Sequence, residues 1–243
     1  MKMLSISAQV MGKTDTIHPT LIWDEKTAIL VDTGYPRQLP QLREAIEKCG
    51  IPLQKLDKII LTHQDIDHIG NLQDLVKKVS QKVEVLTHAK EKPFIEGEKQ
   101  LLKVTPEAIA QIDTMLKDVP AEWREGLKKV LKNPPSAPVD RTIAGKDELP
   151  FCSGITVIDT PGHVPGHISL YLKESKTLIA GDAMVVRDGQ LYGPDPEQTL
   201  DMDMAIKSIG NLKPYDIQTV ICYHGGLYEG QANERIAELA IGQ

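Results

Sequence analysis

The string His63-Gln64-Asp65-Ile66-Asp67-His68 puts two imidazoles and two carboxylates into one short turn. It follows the apolar run Ile59-Ile60-Leu61 and precedes an amphipathic stretch starting at Ile69. That order reads as strand, ligand-rich turn, helix. Further along come Thr160-Pro161-Gly162-His163, Ala180-Gly181-Asp182 and Tyr223-His224-Gly225, each directly after a predicted strand. Strand ends that carry His and Asp can converge on one point. Imidazole and carboxylate together form a donor set for a divalent metal.

The chain resembles the metallo-β-lactamase-fold hydrolase superfamily. The resemblance rests on Ile29-Leu30-Val31-Asp32-Thr33-Gly34, on the stretch from His63 to Gly70, on Thr160 to His167, and on Gly181-Asp182 and His224. These segments stand in the family's order over most of the chain. One position departs: the family has His two places after the first His, and here that place is Asp65.

The resemblance implies an α/β fold (α+β by some schemes), a four-layer αββα sandwich with its metal site at one edge of the paired sheets. It implies that His63, Asp65 and His163 hold a first metal ion and that Asp67, His68 and His224 hold a second. Asp182 would bridge the two. Asp67 would also be catalytic, passing a proton to the leaving group, and Asp32 would brace the metal loop through hydrogen bonds. Two ions about 3.5–4 Å apart bridge and deprotonate a water, and the hydroxide is the nucleophile. Zinc is the usual ion by family. Replacing a neutral imidazole with the Asp65 carboxylate adds negative charge and favours harder ions, so manganese and iron enter. A weaker first site also leaves single-metal occupancy open. Of the repeat Pro161-Gly162-His163-Val164-Pro165-Gly166-His167, the resemblance makes His163 the ligand and His167 structural.

Composition narrows the function. The chain has 243 residues, 41% hydrophobic and only 4% aromatic, so a single domain (1–243) with a mostly aliphatic core is expected. The formal charge is −6, with no basic stripe and few aromatics to stack on bases, which argues against nucleic acid. Cys49, Cys152 and Cys222 are scattered and odd in number, which argues for a reducing compartment. The N-terminus shows no signal peptide, and no stretch approaches the roughly 20 apolar residues of a membrane span. A cytoplasmic protein without membrane contact is expected.

The elements that must position these residues follow from periodicity. Strands are predicted at Met3–Val10, Thr20–Trp23, Ala28–Asp32, Ile59–Thr62 and Val83–Thr87, with a helix carrying Leu42, Ala45, Ile46 and Cys49. A second helix carries Ile69, Leu72, Leu75, Val76 and Val79. Residues from about 90 to 145 break the rhythm and read as a helical insertion. Thr105-Pro106-Glu107 is a helix start, and a further helix from Pro120 shows Trp123, Leu127, Val130 and Leu131. Strands return at Ile155–Asp159, Ile168–Leu172, Thr177–Ala180 and Thr219–Tyr223. Helices carrying Ala205, Ile206, Ile209 and Leu212, and then Ile236, Leu239 and Ala240, complete the pattern.

The expected function is metal-dependent hydrolysis of a small-molecule ester, lactone or thioester. Asp65 keeps open an iron-dependent redox enzyme at the same site, and the fold also hosts phosphodiesterases. A binding module is disfavoured by the complete ligand set. The insertion would form a lid, a pocket wall or a homodimer contact, with Trp123 and Phe94 as pocket candidates. Tyr192, Tyr223 and Tyr228 are candidate oxyanion donors against a default of core packing. His18 and His88 read as structural, and Cys222 as a buried strand residue.

Overall fold

A computed structural model describes residues 1–10, 13–79 and 82–242. Two six-stranded sheets dominate it. The first runs in the order Lys2–Met3, Thr20–Trp23, Ala28–Val31, Lys58–Ile60, Glu84–His88, Arg141–Ile143. Its last four strands are mutually parallel. The second runs Gly226–Tyr228, Thr219–Cys222, Thr177–Gly181, Ile168–Leu172, Ile155–Asp159, Glu148–Leu149.

The alternation of a strand explains how the sheets stack. Successive side chains face opposite sides, so Ile29 and Val31 join one core while Leu30 joins another. Likewise Ile60 and Ile59 part company, as do Ile179 and its neighbours Leu178 and Ala180. The shared core holds Ile29, Val31, Ile60 and Leu86 from the first sheet against Ile155, Val157, Leu170 and Ile179 from the second. On the far side of the first sheet lies the helix Leu39–Lys48, burying Leu39, Leu42 and Ile46. On the far side of the second lie Met202–Ile209 and Ala232–Leu239, which contribute Ile209, Ile236 and Leu239. The result is the expected αββα sandwich.

Three expectations need correction. The strand Met3–Val10 is two strands. Lys2–Met3 pairs with the first sheet, while Ile6–Val10 forms a hairpin with Lys13–Ile17. Between them Leu4 N–H donates to Pro19 O at 2.8 Å, and Pro19 has no N–H to return the bond, so the ladder breaks there. The helix after the ligand turn starts earlier than Ile69: Ile66–Ile69 is already helical, and Leu72–Lys78 follows. Arg141–Ile143, expected inside the insertion, is an edge strand of the first sheet.

Between Glu84–His88 and that edge strand lie Lys92–Ile95, Pro106–Met115 and Ala121–Lys132. Thr105 Oγ1 accepts from Ala108 N–H at 3.1 Å, the N-cap its sequence implied. The apolar face expected on Ala121–Lys132 is not buried: no residue of that helix is, and Trp123 is 57% exposed. Among the described residues no helix is long and apolar enough to cross a membrane.

Candidate metal centre

Strand direction brings the donors together. Ile155–Asp159 and Thr177–Gly181 both run antiparallel to Ile168–Leu172, and Thr219–Cys222 runs parallel to Thr177–Gly181. Their C-terminal ends therefore share one edge, and His163, Asp182 and His224 follow those ends. Lys58–Ile60 delivers His63 through His68 to the same edge from the facing sheet. His63, Asp65, His163 and Asp182 form one group whose donor atoms lie within 4.8 Å of one another, and Asp67, His68 and His224 form a second. All seven residues expected from sequence meet here.

Asp182 stands between the groups. Its Oδ2 lies 3.4 Å from His68 Nε2, 3.4 Å from His163 Nε2, 3.6 Å from His224 Nε2 and 3.9 Å from His63 Nε2. His63 Nε2, His68 Nε2 and Asp182 Oδ1 are buried without a hydrogen-bond partner. Buried polar atoms are almost always paired. Three orphaned polar atoms around the Asp182 carboxylate, all on imidazole or carboxylate, fit divalent cations.

Hydrogen bonds fix which ring nitrogen faces inward. Thr62 donates its hydroxyl to Asp32 Oδ2 at 2.8 Å, and its Oγ1 lies 3.0 Å from His63 Nδ1. His68 Nδ1 lies 2.9 Å from Asp32 Oδ2. Both imidazoles therefore carry their proton on Nδ1 and leave Nε2 free for a metal. Asp32 also accepts from Thr62 N–H at 2.9 Å, which is the brace expected of it. It does so at φ 60, a left-handed geometry that Asp tolerates better than most residues.

His167 is structural, as expected. Its Nε2 accepts from Asp182 N–H at 2.9 Å and its Nδ1 meets Thr160 Oγ1 at 2.8 Å, so no lone pair remains for a metal. Gly181, at φ +56, is required beside it: a Cβ there would stand 2.7 Å from His167 Nε2. His18 bonds Leu4 O at 3.0 Å, and His88 Nδ1 accepts from Lys90 N–H at 3.1 Å. Tyr223 donates its hydroxyl to Asp67 O at 2.5 Å and lays its ring over His68, 3.8 Å between centroids. That hydroxyl is committed to positioning rather than offered to an oxyanion. Cys222 is fully buried, and burial pushes its thiol far above the usual range, leaving it inert. Phe94 packs against the core beneath the first sheet.

The charges are strongly interdependent. Burial pushes the His63 pKa down to about 4, reinforced by neighbouring His68. Burial opposes ionisation of Asp65, Asp67 and Asp182. The surrounding histidines, together with Lys103 beside Asp65, outweigh it and hold all three below the usual carboxylate range. Burial also opposes charging of His224, but Asp182 and Asp67 raise it to about 9.

Four contributors were not singled out from sequence. Glu91 is fully buried and accepts from Gln64 N–H at 3.2 Å, Gln64 Nε2 at 2.9 Å and Gly166 N–H at 2.8 Å. It thereby ties the His63 turn to the His163 loop. Tyr35 donates to Asp15 Oδ2 at 2.8 Å, and Asp15 Oδ2 lies 4.0 Å from His224 Nδ1. Lys103 places Nζ 2.5 Å from Asp65 Oδ2 and 2.7 Å from His163 Nε2. A carboxylate in place of an imidazole calls for a counter-charge, which was the available signal. Nothing in the order of the chain chose Lys103 among the lysines of its segment.

A model of the metallo-beta-lactamase superfamily matches residues 13–224, and the chain belongs to that superfamily. It is 28% identical over 209 residues to a probable metallo-hydrolase of Bacillus subtilis strain 168, YflN, covering 81% of this chain and 75% of that one. A 60-residue stretch is 45% identical to a hydroxyacylglutathione hydrolase of Brucella ovis, covering 24% of this chain and 23% of the relative. Among solved structures, a metallo-beta-lactamase family protein of Thermus thermophilus superposes with a TM-score of 0.70 at 23% identity, covering 99% of this chain and 78% of the other. The chain is thus a metal-dependent hydrolase.

Proposed function

We propose that the protein hydrolyses a small-molecule ester, lactone or thioester at a centre built from His63, Asp65, His163, Asp67, His68, His224 and the bridging Asp182. The observation that carries this is that His63 Nε2 and His68 Nε2 lie orphaned on either half of a site whose shared carboxylate, Asp182, also has an orphaned oxygen. A divalent ion bound there supplies Lewis acidity, lowering the pKa of water toward about 7 and polarising a carbonyl. The protein's part is orientation and proton traffic. Asp32 and Thr62 present the two Nε2 lone pairs. Asp67 is ionised, with Oδ2 3.1 Å from His224 Nε2, so it can take a proton from the attacking water and hand it to the leaving group.

Two features support an acyl substrate. The Brucella ovis relative is named for hydrolysis of a hydroxyacyl derivative of glutathione. Next to Lys103 in the chain, Val104, Pro106, Ile109 and Ala110 line a groove of about 650 Å³ together with Gln100, Lys128 and Lys132, and Lys128 is paired with Asp113 and Glu125. Such a groove suits an apolar chain. The Asp65 charge that motivated an iron-dependent redox reading is paired with Lys103 in the metal-free site. Zinc is our first choice of ion. Free Cys49, Cys152 and Cys222 support a cytoplasmic setting.

The test is turnover of a panel of aryl esters, lactones, thioesters and phosphodiesters by chelator-stripped protein with zinc, manganese or iron restored. Ester, lactone or thioester hydrolysis that returns with a metal supports the reading. Phosphodiesters alone, or no hydrolysis with any ion, contradicts it.

A further inference from the structure

Lys103 is held in the centre by its surroundings rather than by chance of rotamer. Leu101 and Val104 are buried in the core beneath the first sheet, and Val104 N–H closes a turn onto Leu101 O at 3.0 Å. Leu102 N–H donates to Gln64 Oε1 at 2.7 Å, so the turn is pinned to the segment carrying His63 and Asp65. Gln64 is in turn gripped by Glu91. Between two buried anchors, the Lys103 side chain is only 19% exposed and its Nζ reaches the donor atoms of Asp65 and His163.

The two half-sites therefore differ. In the first, Lys103 Nζ lies within hydrogen-bond distance of Asp65 Oδ2 and His163 Nε2, two of the four donors, which are themselves 3.0 Å apart. In the second, Asp67, His68 and His224 have no lysine or arginine as an ion-pair partner among the described residues. The Asp65–Lys103 pair carries the same net charge as one neutral imidazole, but its cation sits on the donors themselves. The single lone pair of His163 Nε2 cannot serve an ammonium and a divalent ion at once.

We propose that Lys103 is the resident cation of the first half-site, so that a divalent metal fills this half only by expelling the ammonium. The chain then binds one ion tightly through Asp67, His68, His224 and Asp182, and a second weakly through His63, Asp65 and His163. This rests on the reading of the two clusters as metal sites, and the experiment separates the two claims.

Zinc and manganese are titrated separately into chelator-stripped protein by calorimetry, with elemental analysis after dialysis and circular dichroism as a check of folding. Wild type is compared with Lys103→Met and Lys103→Gln. Expected are two unequal steps in wild type and a weaker step that tightens by about ten-fold or more in both variants, since a charge-assisted hydrogen bond of roughly that strength no longer has to be broken. Two equally tight ions in wild type overturn the proposal while sparing the metal reading, and this outcome needs no variant. Fewer ions in the variants than in wild type also overturn it, because Lys103 would then be supporting the site. No bound metal in any of the proteins overturns the metal reading and the proposal with it.

Discussion

Asp32 Oδ2 lies 2.9 Å from His68 Nδ1 and accepts the Thr62 hydroxyl at 2.8 Å, so one buried carboxylate orients His68 directly and His63 through Thr62. Outer partners of this kind typically carry about 10–100-fold in metal affinity. Asp32→Asn is expected to keep its secondary structure and lose affinity by about that range. Metal titration followed by calorimetry checks this. An unchanged affinity would mean that the imidazoles are held by packing alone.

His163 and His167 separate by role. His163→Ala is expected to lower metal content with little change in thermal stability of the metal-free protein. His167→Ala is expected to do the reverse at first, because it strands the Asp182 N–H in the interior. An unpaired buried group costs about 1–3 kcal/mol. Chemical denaturation of both metal-free variants reads the difference. Equal destabilisation by the two would remove the distinction.

Glu91 joins two loops that are far apart in sequence. Glu91→Ala leaves Gln64 N–H, Gln64 Nε2 and Gly166 N–H without their acceptor. A loss of about 1–3 kcal/mol of stability is expected for each group left buried and unsatisfied, softened where water enters. Turnover should fall as well, since the His63 turn and His163 loop lose their shared anchor. A variant as stable and as active as wild type would show that the two loops are fixed by other contacts.

How much of this was legible beforehand differs by element. The ligands were readable because each follows a strong apolar run, and parallel strands deliver their C-terminal ends to one edge. The stacking of the sheets was readable from apolar patterns such as Ile29-Leu30-Val31, buried on both faces. Lys103 was not, because its placement depends on Leu101 and Val104 packing and on the Gln64 contact, all long-range. The break in the first strand was hidden because it arises from the missing N–H of Pro19, a partner rather than a member of that strand. Trp123 misled because helical spacing marks an apolar face without saying what covers it.

The metal-free protein should show a pH signature at His224. Its folded pKa is raised from 6.5 to about 9, burial opposing and Asp182 and Asp67 prevailing. A raised histidine pKa stabilises fully below the unfolded value and is lost as pH climbs through the folded one. Thermal midpoints of chelated protein should therefore fall between these two pH values, and fall less in His224→Gln. Parallel curves for the two proteins would contradict this assignment of charge.

The most direct test of the metallohydrolase centre is Asp182→Ala, measured for bound metal and for hydrolysis of the responsive ester, lactone or thioester in the same preparation. Asp182 Oδ2 touches both half-sites, within 3.4–3.9 Å of four imidazoles. Expected is a folded protein that has lost most of its metal and its turnover together. Loss of metal with turnover unchanged would place the chemistry elsewhere in the molecule.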